Sequence, residues 1–223
     1  MKSFEIVYSD SSVIVCVKPA GVICEAVEGK ENMIDMVSNA TKRGETDNPY
    51  VGLVHRLDQV TAGLMIFSAD QRLTGKLSEA VMNKDTEKEY LAVIHGQPDE
   101  AEGEMCDLLY RDPKKNKSYV VKRSRKGVRE AKLTYSTLAT AEGKYGKVSL
   151  VKIRLFTGRT HQIRVQFASR GMPIVGDGKY GAADNAPSAS LLSHRLTLTH
   201  PKSGKRMEFI TDMPEGEPWN MFK

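Results

Sequence analysis

The chain of 223 residues is poor in the features that would decide its class at once: three cysteines, one tryptophan and five histidines. No apolar run approaches the ~18 residues a membrane helix needs. Cys16, Cys24 and Cys106 are too few and too scattered for a disulfide framework. No cysteine pair has zinc spacing, and the histidines form no HExxH or HxxxH group, so no metal site is expected. The N-terminus offers one lysine and only the short apolar stretch Val13 to Val17, not the longer centre of a signal peptide. A cytoplasmic protein is the expectation. Hydrophobic residues make up 40% and charged residues 27%, an ordinary soluble balance.

What is present is charge, unevenly spread. The formal net charge of +5 says little alone, since many basic proteins bind no nucleic acid. Between Lys114 and Lys132, however, nine basic residues meet one acidic residue, Glu130. Lys122, Arg123, Arg125 and Lys126 form the densest part. Such a stretch is either a solvated hairpin with charged edges or a surface that tracks phosphates.

The patterning predicts strands at Phe4 to Tyr8 and Ser12 to Val17, joined at Ser9-Asp10-Ser11. Met33, Met36, Val37 and Ala40 recur at helical spacing. Leu64-Met65-Ile66-Phe67 reads as a buried strand, and Asp70 as the cap of a helix with Leu73, Leu77, Ala80 and Val81 on its core face. Further strands are expected at 89–95, 130–138, 147–156, 191–199 and 206–210, with 96–129 irregular and holding only short strands. Thr160 is the expected cap of a helix running to Arg170. No repeat or linker is visible. Strands outnumber helices without regular alternation. That predicts a single α+β domain over 1–223, with a mixed, mostly antiparallel central sheet flanked by helices and loops, whether built as one body or as two subdomains.

Two polar blocks carry the chemistry. His55-Arg56-Leu57-Asp58-Gln59-Val60-Thr61 leads directly into the apolar strand. Polar groups on a loop anchored by a core strand are well placed for catalysis. A carboxylate beside a cation stays ionised and can act as nucleophile or base. Thr157-Gly158-Arg159-Thr160-His161-Gln162-Ile163-Arg164 runs from a strand through a tight turn into the expected helix. Its free N–H groups and Arg159 would favour an anion. Arg164 sits at the edge of a buried face and needs a carboxylate partner. Asp177, in the constrained stretch Met172 to Gly181, is expected to brace its loop. His55 is read as a structural loop histidine.

Taken in order, these segments resemble the RluA-type pseudouridine synthases. Lys18-Pro19-Ala20-Gly21 is similar to the family's K-P-A-G. His55 to Leu64 resembles H-R-L-D-x-x-T-S-G-L. Lys88 to Gly96 resembles the K-x-Y-x-A-x-x-x-G strand, Gly158 to Arg164 resembles G-R-T-H-Q-I-R, and Gly176 to Gly181 resembles G-D-x-x-Y-G. Ala62 replaces the usual serine, Gln166 a common histidine, and Leu192 another. The resemblance implies the pseudouridine synthase fold, with no S4 domain before it, and isomerisation of uridine in ribosomal or transfer RNA. No metal, redox or energy cofactor is implied, and the family is usually monomeric. By the same resemblance Asp58 is the essential carboxylate, and its detailed role at sugar or base stays open. Arg164 pairs with it, and Tyr90 stacks on the target base. Arg56 fills the gap left by the flipped nucleotide. Thr61, Arg159, His161 and Gln162, with Lys122, Arg123, Arg125 and Lys126, are the expected RNA or substrate contacts.

Other readings compete. A catalytically silent RNA-binding or RNA-folding protein need not keep Asp58, Tyr90 and Arg164 together. A kinase-like catalytic loop lacks its glycine-rich loop and Asp-Phe-Gly. A metal-dependent nuclease built on His55, Asp58, His161 and Asp177 lacks ligand spacing.

Overall fold

The computed structural model describes residues 4–44, 46–83 and 86–223. In chain order the elements are β1 (Glu5–Ser9), β2 (Val13–Lys18), α1 (Met33–Thr41), β3 (Gly52–Leu53), β4 (Ala62–Ser68), α2 (Thr74–Met82), β5 (Lys88–His95), β6 (Glu102–Asp112), β7 (Lys117–Val121), β8 (Val128–Gly143), β9 (Gly146–Leu155), α3 (Gln162–Ala168), β10 (Leu191–Thr199) and β11 (Arg206–Ile210). The fold is α+β, and the strand pairings described below are antiparallel. The chain divides into two compact units, Met1–Lys88 with Ser193–Asp212, and Glu89–Leu192 with Met213–Lys223.

The first unit is built on β4. It pairs with β2 from Val13 opposite Ser68 to Lys18 opposite Gly63, and with β3 at Gly52 and Leu53. β1 extends this sheet beyond β2, and β10 with its hairpin partner β11 lies on the other side of β4. Leu64 and Ile66 pack with Leu77 and Val81 of α2. Met65 and Phe67, pointing the other way, are equally inaccessible. Both faces of β4 are covered, which is why its sequence is a continuous apolar run and not an alternation. Asp70 does cap, but through a short 3-10 turn at Gln71–Leu73 that precedes α2. In α1 the buried residues are Met33, Met36 and Val37, while Ala40 is exposed.

The second unit is ordered β5-β9-β8-β6-β7. β8 and β9 form a long hairpin, with a register shift between Thr137 and Ala139 that leaves Leu138 turned outward. The stretch expected to be irregular contains β6, an eleven-residue strand. Its Glu102, Glu104, Asp107 and Arg111 give it poor intrinsic strand propensity. Pairing with β8 on one side and β7 on the other supplies the order instead. α3 lies against this end of the sheet, where Leu109, Ala131, Val165 and Tyr180 form a small buried cluster.

Gly63 ties this framework to the first polar block. It has φ +111°, and a Cβ there would lie 2.3 Å from the Ser193 carbonyl oxygen. Gly63→Ala is therefore expected to cost about 2–4 kcal/mol, from a backbone region hostile to L side chains and from overpacking. The check is the shift in denaturant midpoint at unchanged m-value.

Candidate active site

The loop before β4 is fixed by main-chain hydrogen bonds from four directions. Lys18, at the end of β2, is fully buried. Its Nζ donates to the carbonyls of Pro19 and Gln59, each at 3.0 Å. Gly21 donates its N–H to Gln59 O at 2.7 Å, and Gln59 Nε2 returns a bond to Gly21 O at 3.0 Å. From behind, the Cys24 thiol donates to Leu57 O at 3.1 Å. Within β4, Ile66 N–H donates to His55 Nε2 at 3.0 Å. The loop then turns on a Thr61 N–H bond to Asp58 O at 3.0 Å. The outcome is a half-buried Asp58 on a rigid support.

Of the other residues expected here, Thr61 is buried within the turn. Arg56 projects outward and forms an ion pair with Glu25, both side chains well exposed. An exposed pair of this kind contributes little to stability and leaves the cation available to a stronger anion. Lys18 was not among the expected site residues. Its signal is a lysine closing an apolar strand just before Pro-Ala-Gly.

In the second unit the centre is Arg164, buried on α3. Nε and Nη2 donate to Asp177 Oδ2 and Oδ1 at 2.7 and 2.8 Å. This fork uses two of the five N–H donors that a guanidinium carries. Below it lies the Tyr180 ring, 5.1 Å from Cζ of Arg164. Asp177 thus does more than brace its loop: it is a buried carboxylate partner of Arg164, thirteen residues further along the chain. Tyr90, on β5, is 7% exposed and shares its strand face with the inaccessible Ala92 and Ile94.

The expected helix start is corrected in detail. α3 begins at Gln162 and spans only seven residues, and its N-cap is His161, not Thr160. His161 has φ 55°, a left-handed conformation unusual for a non-glycine residue, and makes no side-chain cap bond. With so short a helix, the dipole argument for an anion at its start carries no weight. Gln162 is 3% exposed, and both ends of its amide are used inside the protein. Its Oε1 accepts from Thr157 Oγ1 at 2.7 Å and from Arg159 N–H at 3.1 Å, and its Nε2 donates to Lys132 O at 3.2 Å. These bonds shape the loop between β9 and α3. Arg159 is exposed, with Nε donating to Glu130 O at 2.9 Å.

Lys122, Arg123, Arg125 and Lys126 are all solvent-facing in the segment between β7 and β8. Among the described residues none of the four has a carboxylate partner, whereas Lys132 is paired with Glu104 at 2.8 Å. Cζ of Arg125 lies 4.9 Å from the Tyr110 ring centroid, a cation–π contact that orders it without neutralising it. In the first unit lie Arg56, Asp58 and Thr61, all in one loop. Tyr90, Arg159, His161, Gln162, Arg164 and the basic segment belong to the second.

A sequence model described as RNA pseudouridylate synthase matches residues 12–169. The dual-specificity RNA pseudouridine synthase RluA of Escherichia coli (strain K12) is 32% identical over 213 residues, covering 92% of this chain and 90% of that protein. An uncharacterized RNA pseudouridine synthase of Aquifex aeolicus (strain VF5) is 31% identical over 226 residues, covering 94% of this chain and 69% of that protein. The solved structure of human RNA pseudouridylate synthase domain containing 4 superposes with a TM-score of 0.74 at 21% identity, covering 94% of this chain and 88% of that one. That likeness is one of fold.

The His55 bond to β4 has a consequence for pH. Desolvation, and then the nearby Lys88 ammonium, lower the His55 pKa from 6.5 to about 3. Its Nε2 accepts a hydrogen bond and has no room for a proton while that bond stands. Because the folded value is depressed, this contribution to stability is fully present above the unfolded pKa of 6.5 and is lost as pH falls toward 3. His55→Gln, which cannot titrate, is expected to show a shallower fall in stability between pH 6.5 and 4 than the parent protein. Urea midpoints measured across that range check this, and parallel curves would refute it.

Proposed function

The chain belongs to the RNA pseudouridylate synthase family, and we propose that it isomerises specific uridines of structured ribosomal or transfer RNA with Asp58 as its essential carboxylate. RNA pseudouridine synthase activity itself follows from family membership. In that reaction the N1–C1′ bond breaks, the uracil turns, and C5 joins C1′. The C5 proton is lost and N1 gains one, so the product is an isomer and no redox equivalent is consumed.

The observation that carries the assignment is the loop before β4. A buried ammonium and a thiol hold its backbone, the His55 imidazole anchors it to the Ile66 N–H of β4, and the half-buried carboxylate it presents is Asp58. We assign Arg164 the guanidinium that pairs with this carboxylate, and Tyr90 the ring that stacks on the target base. The fixed plane of Arg164, set by Asp177 and Tyr180, supports a positioning role of that kind. Arg56 is assigned to the gap left in the RNA when the nucleotide turns out of its stack. Unstacking costs a few kcal/mol. Phosphate binding by Arg159 and by Lys122, Arg123, Arg125 and Lys126 offsets it. We take both units as one catalytic domain that acts as a monomer in the cytoplasm. No helix among the described residues is long and apolar enough to cross a membrane. The dual specificity in the name of the Escherichia coli relative supports keeping both RNA classes in the reading.

Pseudouridine maps of total RNA, taken with the parent protein and with Asp58→Asn, test the assignment. The isosteric amide is expected to bind RNA with similar affinity and to lower turnover by a factor on the order of 10³ or more. Near-normal turnover would remove Asp58 from the chemistry. Replacing Lys122, Arg123, Arg125 and Lys126 together by serine is expected to weaken RNA binding. The log–log salt slope should then become shallower by about one for each phosphate that is no longer neutralised. An unchanged slope would return that segment to a solvated surface.

A further inference from the structure

The strand that leads into the basic segment is joined by hydrogen bonds to the turn before α3 and to Tyr180. Ser118, in β7, is buried, and its N–H donates to Tyr180 Oη at 2.9 Å. Its Oγ donates to Thr160 O at 2.6 Å. Tyr180 Oη also bonds His161 Nδ1 at 2.9 Å. The Tyr180 ring lies 5.1 Å from Cζ of Arg164 and 5.0 Å from Nζ of Lys117, the residue before Ser118. A separate tie runs from Lys179 Nζ to Asn116 O at 2.9 Å, in the turn between β6 and β7.

We infer that Tyr180 is a positioning residue, which couples RNA binding at the basic β6–β7 hairpin and the segment after it to the setting of Arg164. Two parts of the side chain do different work. The ring packs in the cluster with Leu109 and Val165 and lies beneath the guanidinium. The hydroxyl joins β7 to the side chain of His161, whose left-handed backbone starts α3. A shift of β7 when phosphates draw on Lys117 and the cations beyond it must therefore act on residues 160–164 through hydrogen bonds with little freedom to stretch. Small displacements of a positioning group far from the chemistry can cost large factors in rate. Tyr180→Phe removes the hydroxyl ties and keeps the ring.

This coupling presupposes that the basic segment meets RNA, as proposed above, and the test separates the two. Hydrogen exchange is followed in Asp58→Ala protein, where turnover plays no part, with and without unmodified transfer RNA transcripts. RNA is expected to slow exchange at both 117–121 and 160–166. With Tyr180→Phe added, slowing at 117–121 should persist and slowing at 160–166 should be clearly reduced, the Ser118–Thr160 bond alone remaining. Equal slowing at 160–166 in both proteins overturns the coupling. No slowing at 117–121 overturns it as well, by removing the RNA binding beneath it, while leaving the Asp58 assignment untouched.

In otherwise unaltered enzyme, Tyr180→Phe is expected to lower kcat roughly tenfold with the KM for RNA within about twofold. Neutralising Lys122, Arg123, Arg125 and Lys126 should lower kcat in the parent but add no further loss to Tyr180→Phe. Additive losses in kcat, or a loss confined to thermal stability, would reduce Tyr180 to a structural residue. Should Tyr180→Phe fold poorly, Ser118→Ala cuts the Thr160 tie from the hairpin side. It is expected to weaken the RNA-dependent slowing at 160–166 in the same way, and an unaltered response there would count against the coupling.

Discussion

A lysine with no exposed surface holds the loop on which Asp58 is displayed. Transferring an ammonium out of water is costly unless polar groups replace its hydration. For Lys18 the carbonyls of Pro19 and Gln59 take that place, and the second of these belongs to the loop itself. Gln59 O also receives the Gly21 N–H, so two donors from the Lys-Pro-Ala-Gly stretch converge on the carbonyl of the residue that follows Asp58. Loss of the lysine would leave acceptors stripped of water and short of a donor, which costs more than the mean worth of a hydrogen bond. The loop is irregular in conformation yet has little freedom. That combination lets it present a carboxylate without a helix or strand of its own.

The second unit solves the matching problem for a cation. Arg164 and Asp177 are both removed from solvent, and a buried ion pair is stable only where its geometry is nearly ideal. The two parallel bonds from Nε and Nη2 meet that demand. They also fix the plane of the guanidinium, which a single bond would not. Tyr180 adds an aromatic face below it. Asp177 thus sets where the arginine points, quite apart from what its remaining donors meet.

Much of this was legible in the amino-acid order. β4 announced itself because burial on both faces demands an unbroken apolar run, and α1 because Met33, Met36 and Val37 return to one side. The polar block at 55–61 was legible as a displayed loop, since it abuts that strand. β6 was not legible, because its order comes from neighbours and its own residues argue against a strand. The start of α3 was misread for a related reason. Thr160 has the right side chain for a cap, but Gln162 bonds the backbone of Arg159 and the side chain of Thr157, so His161 takes the capping place. The fork between Arg164 and Asp177, and the tie between Ser118 and Tyr180, join residues that no spacing rule relates.

The buried cations Lys18 and Arg164 contrast with the exposed ones. Lys18 and Arg164 are held by partners inside the protein and are costly to move. Among the described residues Arg56 pairs only with a glutamate whose side chain is itself exposed, and Lys122, Arg123 and Lys126 extend into solvent. Exposed cations bind phosphates with little loss of their own stabilising interactions, and salt weakens them; buried ones are screened far less. Exposed charges of this kind suit a polyanion, whereas the fixed ones hold their neighbours in place. The Tyr180 ring brings a half-buried cation of the basic stretch and a fully held one together within one unit, since Nζ of Lys117 and Cζ of Arg164 lie 5.0 and 5.1 Å from its centroid.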